Sequence, residues 1–64
     1  MTTQLIATRP LNNNPADAYL SIVLRLNFKG EYVTHLYNSC DGGYHNGHYF
    51  GNDINKAMED FKAR

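Results

Sequence analysis

Between Tyr19 and Phe28 the chain alternates with period two, with Leu20, Ile22, Leu24, Leu26 and Phe28 at even positions and Tyr19, Ser21, Val23, Arg25 and Asn27 at odd ones. A helix repeats every 3.6 residues and would spread these five apolar side chains around its axis, whereas a strand points all of them to one side. The stretch predicts a β-strand with one sealed face, and the rest of the chain must supply the cover.

The segment Asn27 to Gly30 then reverses direction. Asn at the first and Gly at the fourth place of a type I turn, with the Gly in the left-handed region, predict a three-residue hairpin loop with a bulge. That register sets Leu26 across from Tyr32, Leu24 from Thr34 and Ile22 from Leu36 on the covered face, and turns Val33, His35 and Tyr37 away. A two-residue turn at Lys29-Gly30 would instead pair Leu26 with Val33 and Leu24 with His35, moving every side chain of the second strand to the opposite face. The bulged turn is preferred because it accounts for the Asn and the Gly together.

The flanking segments complete a sheet. Gln4 to Arg9, with Leu5, Ile6 and Ala7, leans toward a first strand at the sheet edge, ended at Pro10 by the loss of a backbone donor. Asn12 to Asp17 reads as a polar loop, the alternative being one helical turn capped by Asn14 and begun by Pro15. Asn38 to Gly43 is a turn by composition, and Tyr44 to Phe50 reads as a strand running back along the previous one. After Gly51, Asn52 or Asp53 caps a helix in which Ile54, Ala57, Met58 and Phe61 recur at steps of three and four. Asp53 at its start and Lys62 and Arg64 near its end suit the helix dipole. The expected fold is α+β, a single small domain over residues 1–64: an antiparallel meander of three to four strands with one C-terminal α-helix packed on one face.

A chain of 64 residues hides only about 60% of the surface its unfolded form exposes. Cys40 is the only cysteine, so no internal disulfide can staple the fold, and a partner is the natural supplement. A free thiol, the lack of an 18-residue apolar run and the lack of a basic, apolar leader in Met1 to Arg9 lead to the expectation of a cytoplasmic protein without a membrane partner. Six basic and six acidic side chains cancel and form no run, which removes any general attraction to nucleic-acid backbones or anionic membranes. The same balance argues against a carboxylate mimic of DNA.

His35, Cys40, Asp41, His45 and His48 fall within fourteen residues, and each can ligate a transition metal. On a continuous strand His45 and His48 project from opposite faces and cannot share an ion without a bulge. Were Asn46-Gly47 a two-residue type I′ turn, the two imidazoles would become cross-strand neighbours. The expectation is that these are surface residues, with no metal and no cofactor, and a metal or thiol site at Cys40, Asp41, His45 and His48 stands as the alternative. Cys40 with His45 or His35 could form a nucleophile pair, but the sequence offers neither a group to orient the base nor oxyanion donors, so no enzyme is expected. Asp41-Gly42-Gly43 precedes a strand, not a helix, and does not make a phosphate loop.

Tyr32, Tyr37, Tyr44 and Tyr49 could stack the bases of a single strand, yet Arg25 is the only basic residue in the strands that could face the same side, and nucleic acid is therefore not the expected partner. Tyr and His also supply rigid contact area at protein interfaces. One helix covers one face, so the other face, carrying Tyr19, Val23, Arg25, Val33, His35 and Tyr37, is the expected binding surface for another protein, with a homodimer the leading form. In size, neutral charge and lack of motifs the chain resembles the small accessory proteins of phages and mobile elements, among them inhibitors of host defence complexes such as anti-CRISPR proteins. The likeness is of type and covers no residues.

Overall fold

The computed structural model describes residues 4–64, so the first three positions of the stretch read for a leader lie outside it. Four strands, β1 (Gln4–Pro10), β2 (Leu20–Leu26), β3 (Tyr32–Asn38) and β4 (Gly43–Tyr49), form one antiparallel sheet in the order β1-β2-β3-β4. Helix α1 (Ile54–Ala63) lies across β2 and β3 on one side. This is the expected α+β meander with a C-terminal helix.

The β2–β3 hairpin has the bulged-turn register, with Leu26 opposite Tyr32, Leu24 opposite Thr34 and Ile22 opposite Leu36. Asn27 builds the turn. Its side-chain oxygen accepts from the N–H groups of Lys29 at 3.0 Å and Glu31 at 2.9 Å, while Gly30 donates to the Asn27 carbonyl at 3.0 Å. Gly30 holds φ +80°, a conformation that a side chain resists.

Ile22 and Leu24 from the alternating strand meet Ala57 and Phe61 from α1 to form the core, with Ala7, Leu11, Tyr32, Leu36, Phe50 and Met58 packed around them. Burying each large side chain contributes about 2 kcal/mol, so these few contacts carry most of the helix's attachment. Phe28, the last of the five alternating residues, is exposed, because the chain has already left the sheet for the turn. Ile54, expected in the buried stripe, is also exposed at the helix start. Asp53 is the N-cap, its carboxylate accepting from the Lys56 N–H at 3.0 Å. Just before it, Phe50 donates to the Tyr32 carbonyl and Tyr32 to the Gly51 carbonyl, which brings the chain off β4 and over the core.

The segment expected as a polar loop contains one 3-10 turn, Pro15–Asp17, capped by the Asn14 side chain. Pro15 presets the backbone, and Asn12 and Asn14 take up the amides of Asn14 and Ala16, so the turn forms without apolar packing.

Both edge strands are bulged. In β1 the register shifts between Leu5 and Ala7, so Ile6 is the extra residue. In β4 it shifts between His45, opposite Leu36, and His48, opposite Thr34. No helix of the described residues is long and apolar enough to cross a membrane.

Candidate functional site

The β4 bulge decides which side chains share a face. In a regular strand Tyr44 and Tyr49 would point to opposite sides, as would His45 and His48. Asn46, at φ +53°, absorbs one extra residue, and Asn is among the few side chains that tolerate this backbone. Tyr44 is thereby set opposite Tyr37, and Tyr49 opposite Val33, on the side away from α1. Both histidines turn to the helix side. Asn46-Gly47 thus lies within a continuous strand and is not a hairpin turn.

On the open face the rings interlock. A Cβ on Gly47 would lie 2.7 Å from His35 Nε2 and 3.0 Å from its Cδ2, so the imidazole rests directly on the Gly47 backbone. It meets Tyr44 at a centroid distance of 5.5 Å and Tyr49 edge-on at 6.2 Å, while Tyr37 and Tyr44 are 5.0 Å apart. The Arg25 guanidinium sits 4.1 Å from the centroid of Tyr44. Arg25 starts on β2 and Tyr44 stands on β4, so the arginine side chain spans β3. Tilted and edge-on rings with a cation above them contribute about 0.5–1.5 kcal/mol per contact.

Burial holds the His35 imidazole below the usual histidine pKa, and the charges of Arg25, Arg64 and His48 act in the same direction. Its Nδ1 is buried, and no atom of the described residues hydrogen-bonds it. Both effects disfavour the protonated imidazole.

The six residues expected to bind a partner are not equivalent. Val23, between Thr8 and His35, is 4% exposed, and Val33, between Arg25 and Tyr49, is 2% exposed. They support the face from beneath and cannot be touched directly. Tyr19 is exposed just before β2, and Arg25, His35 and Tyr37 are half-buried within the patch. Tyr44 and Tyr49, 45% and 63% exposed, are its most accessible rings; they were considered as stacking platforms but are not among the six. The signal that could have found them is an Asn-Gly pair inside a strand-length segment, which serves a bulge as well as a turn.

The helix side carries a polar clamp. Asp60 of α1 accepts from the Thr34 hydroxyl and pairs with His48 Nδ1 at 3.0 Å. Arg64 donates to Thr34 Oγ1 at 3.1 Å and to the Asn46 carbonyl at 2.7 Å. Burial alone would raise the Asp60 pKa, but the hydrogen bonds from Thr34 and His48 and the charges of His48 and Arg64 outweigh it and hold the carboxyl below its usual value. A Thr, a His and an Asp invite comparison with a nucleophilic triad. Here the hydroxyl is fully buried and donates to the carboxylate, which is the wrong order for activating it.

The residues considered as metal ligands separate into pairs. His45 lies 3.3 Å from Asp41, whose other oxygen accepts from the Gly43 N–H, while His48 belongs to Asp60. Cys40 is exposed in the turn. Among the described residues, no group of three or more His, Cys, Asp or Glu is placed to hold an ion.

No protein-family model matches the chain, and comparison with curated proteins and with solved structures finds no match to either.

Proposed function

We propose that this protein is a non-catalytic binding module whose partner is another protein and whose contact surface is the sheet face turned away from α1. The observation that carries this reading is the Asn46-Gly47 bulge, which adds Tyr44 and Tyr49 to Arg25, His35 and Tyr37 in one aromatic patch. Tyr and Arg dominate the energetics of protein interfaces, and rings already fixed by one another lose little entropy on binding. With a net charge of zero the surface has no long-range pull on phosphate, so recognition rests on shape and ring contacts. Such a module acts by occupying a partner, in the manner of the small accessory proteins that the chain resembles in type.

The test uses the protein as bait in extracts of its native host, beside a Tyr44→Ser/Tyr49→Ser variant with an unchanged circular dichroism spectrum. Loss of a captured protein by at least about tenfold in the variant supports the reading. Equal capture by both baits overturns it, and salt-dependent binding of a labelled single-stranded oligonucleotide that needs the same tyrosines would reassign the face to nucleic acid.

A further inference from the structure

Asn46-Gly47, the pair that forms the β4 bulge, is the only place in the chain where Gly follows Asn. That dipeptide carries a chemistry of its own. With no Cβ on the Gly to crowd the approach, its backbone nitrogen can close on the Asn side-chain carbonyl carbon and form a five-membered imide. Asn46 is exposed, and its side-chain amide makes no hydrogen bond to any described residue.

The backbone holds the two reacting atoms apart. A residue with a side chain at φ +53° occupies the left-handed region, where ψ is about +50°. The Gly47 nitrogen then stands anti to the Asn46 Cβ about the Cα–C bond, and the peptide must swing through almost half a turn before that nitrogen reaches Cγ. Arg64 opposes the swing. Its guanidinium donates to the carbonyl of this same peptide at 2.7 Å, while its other arm holds Thr34 Oγ1 at 3.1 Å. On the opposite side of the strand the His35 ring lies against Gly47.

We propose that Asn46 is a deamidation site kept locked by the fold, that Arg64 is the lock, and that release of the last turn of α1 lets the site convert itself irreversibly. The inference goes beyond the reading of the open face as a binding surface and does not depend on what binds there. In the reaction the Gly47 N–H gives its proton to solvent base and the nitrogen bonds to Cγ. The Cγ–Nδ2 bond breaks, and ammonia leaves with a proton from water. Water then opens the imide. Cleavage at Cγ leaves Asp in an ordinary peptide, whereas cleavage at the main-chain carbonyl carbon leaves isoaspartate, with the chain running through Cβ and Cγ. One water is taken up and one ammonia released, with no change of oxidation state.

The two products differ in what they do to the sheet. Asp tolerates positive φ much as Asn does, so the bulge survives with an added charge. Isoaspartate lengthens the main chain by one atom at the bulge and turns the carbonyl that Arg64 grips into a free carboxylate. The count of residues that sets Tyr44 and Tyr49 on one face is then broken. Asp41-Gly42 is open to the same cyclisation, but its carboxylate is committed, one oxygen accepting from the Gly43 N–H at 2.7 Å and the other lying 3.3 Å from His45.

The experiment follows intact mass at mildly alkaline pH, with chromatographic separation of the Asp and isoaspartate forms and fragment mapping to the Asn46-Gly47 peptide. The folded parent should convert at least about tenfold more slowly than the parent unfolded in urea. Arg64→Ala, with an unchanged circular dichroism spectrum, should convert at least about fivefold faster than the folded parent. Arg64→Lys, which keeps the charge and loses the planar fork, should fall between them. Lys62→Ala, in the same turn but on a side chain with no hydrogen bond or ion pair to a described residue, should keep the parent rate. Equal rates in the folded and unfolded parent, or no conversion even when unfolded, overturn the locked site. Parent-like rates in both Arg64 variants, or an equal acceleration in Lys62→Ala, overturn Arg64 as the lock. In the purified isoaspartate form the nuclear Overhauser contacts between the His35 and Tyr44 rings should vanish, and their persistence overturns the effect on the open face.

Discussion

Tyr44 and Tyr49 stand on the same face of the sheet although they are an odd number of steps apart along the chain, because Asn46 takes up one extra residue at φ +53°. The open face as a docking surface depends on that one backbone conformation. Asn46→Gly should preserve it, since glycine adopts positive φ freely, whereas Asn46→Val should destabilise the fold by about 1–2 kcal/mol. Urea denaturation of both variants checks the pair. Equal stability would mean that the left-handed position is not required.

Gly47→Ala should displace His35. The added methyl would come within 2.7 Å of His35 Nε2 and 3.2 Å of Tyr49 Cε1, so the imidazole must leave the Gly47 backbone and disturb both ring contacts. A loss of about 1–3 kcal/mol is expected, together with large shifts of the His35 and Tyr49 ring resonances. Gly30→Ala is the control. It meets open space and should lose only about 1 kcal/mol, through backbone strain at φ +80°.

Thr34→Val keeps the shape of a fully buried side chain and removes its hydroxyl. Asp60 then loses a donor and Arg64 an acceptor. The expected cost is about 1–3 kcal/mol, with the Asp60 carboxyl titrating at higher pH than in the parent protein. An unchanged Asp60 titration, followed by carbon-13 shifts, would show that the clamp does not govern that group.

Stability should fall in two stages on acidification. The unfolded chain takes up a proton on His35 near the ordinary value of 6.5, and the folded chain resists it, so the stability linked to His35 is fully present above 6.5 and is lost as pH falls through the lower folded value. Asp60 follows the same sign further down. Its contribution is present above 3.8 and is lost as pH falls through the depressed folded value. Urea midpoints from about pH 8 to about pH 3 measure both, and His35→Leu should flatten the first stage while leaving the second. A midpoint constant between pH 7 and pH 5, to within about 0.2 M, would contradict the placement of His35.

Most of the architecture was legible. Five apolar residues at period two identified β2, the Asn27 and Gly30 pair fixed the hairpin register, and that register alone turned Val33, His35 and Tyr37 to the far side. The spacing of Ala57, Met58 and Phe61 located the covering helix. Neither bulge was legible: in β4 an Asn-Gly pair signals positive φ without saying whether the chain then reverses or continues, and in β1 nothing in Leu5-Ile6-Ala7 marks an extra residue. Nor was the burial of Val23 and Val33. Val23 lies between Thr8 and His35 and Val33 between Arg25 and Tyr49, so their burial is set by cross-strand neighbours and not by alternation within one strand. The joining of Thr34, Asp60 and Arg64 across 26 and 30 positions lies beyond any local pattern.

Arg64 grips the carbonyl of Asn46, the residue whose twist aims the tyrosines on the reverse side. In a slab only 16 Å thick, this peptide group and the neighbouring His48–Asp60 pair tie the strand that carries the tyrosines to the helix behind it. Anything that loosens the last turn of α1 removes the prop behind the bulge, so a perturbation at the back of the molecule should be felt as lost grip at the front.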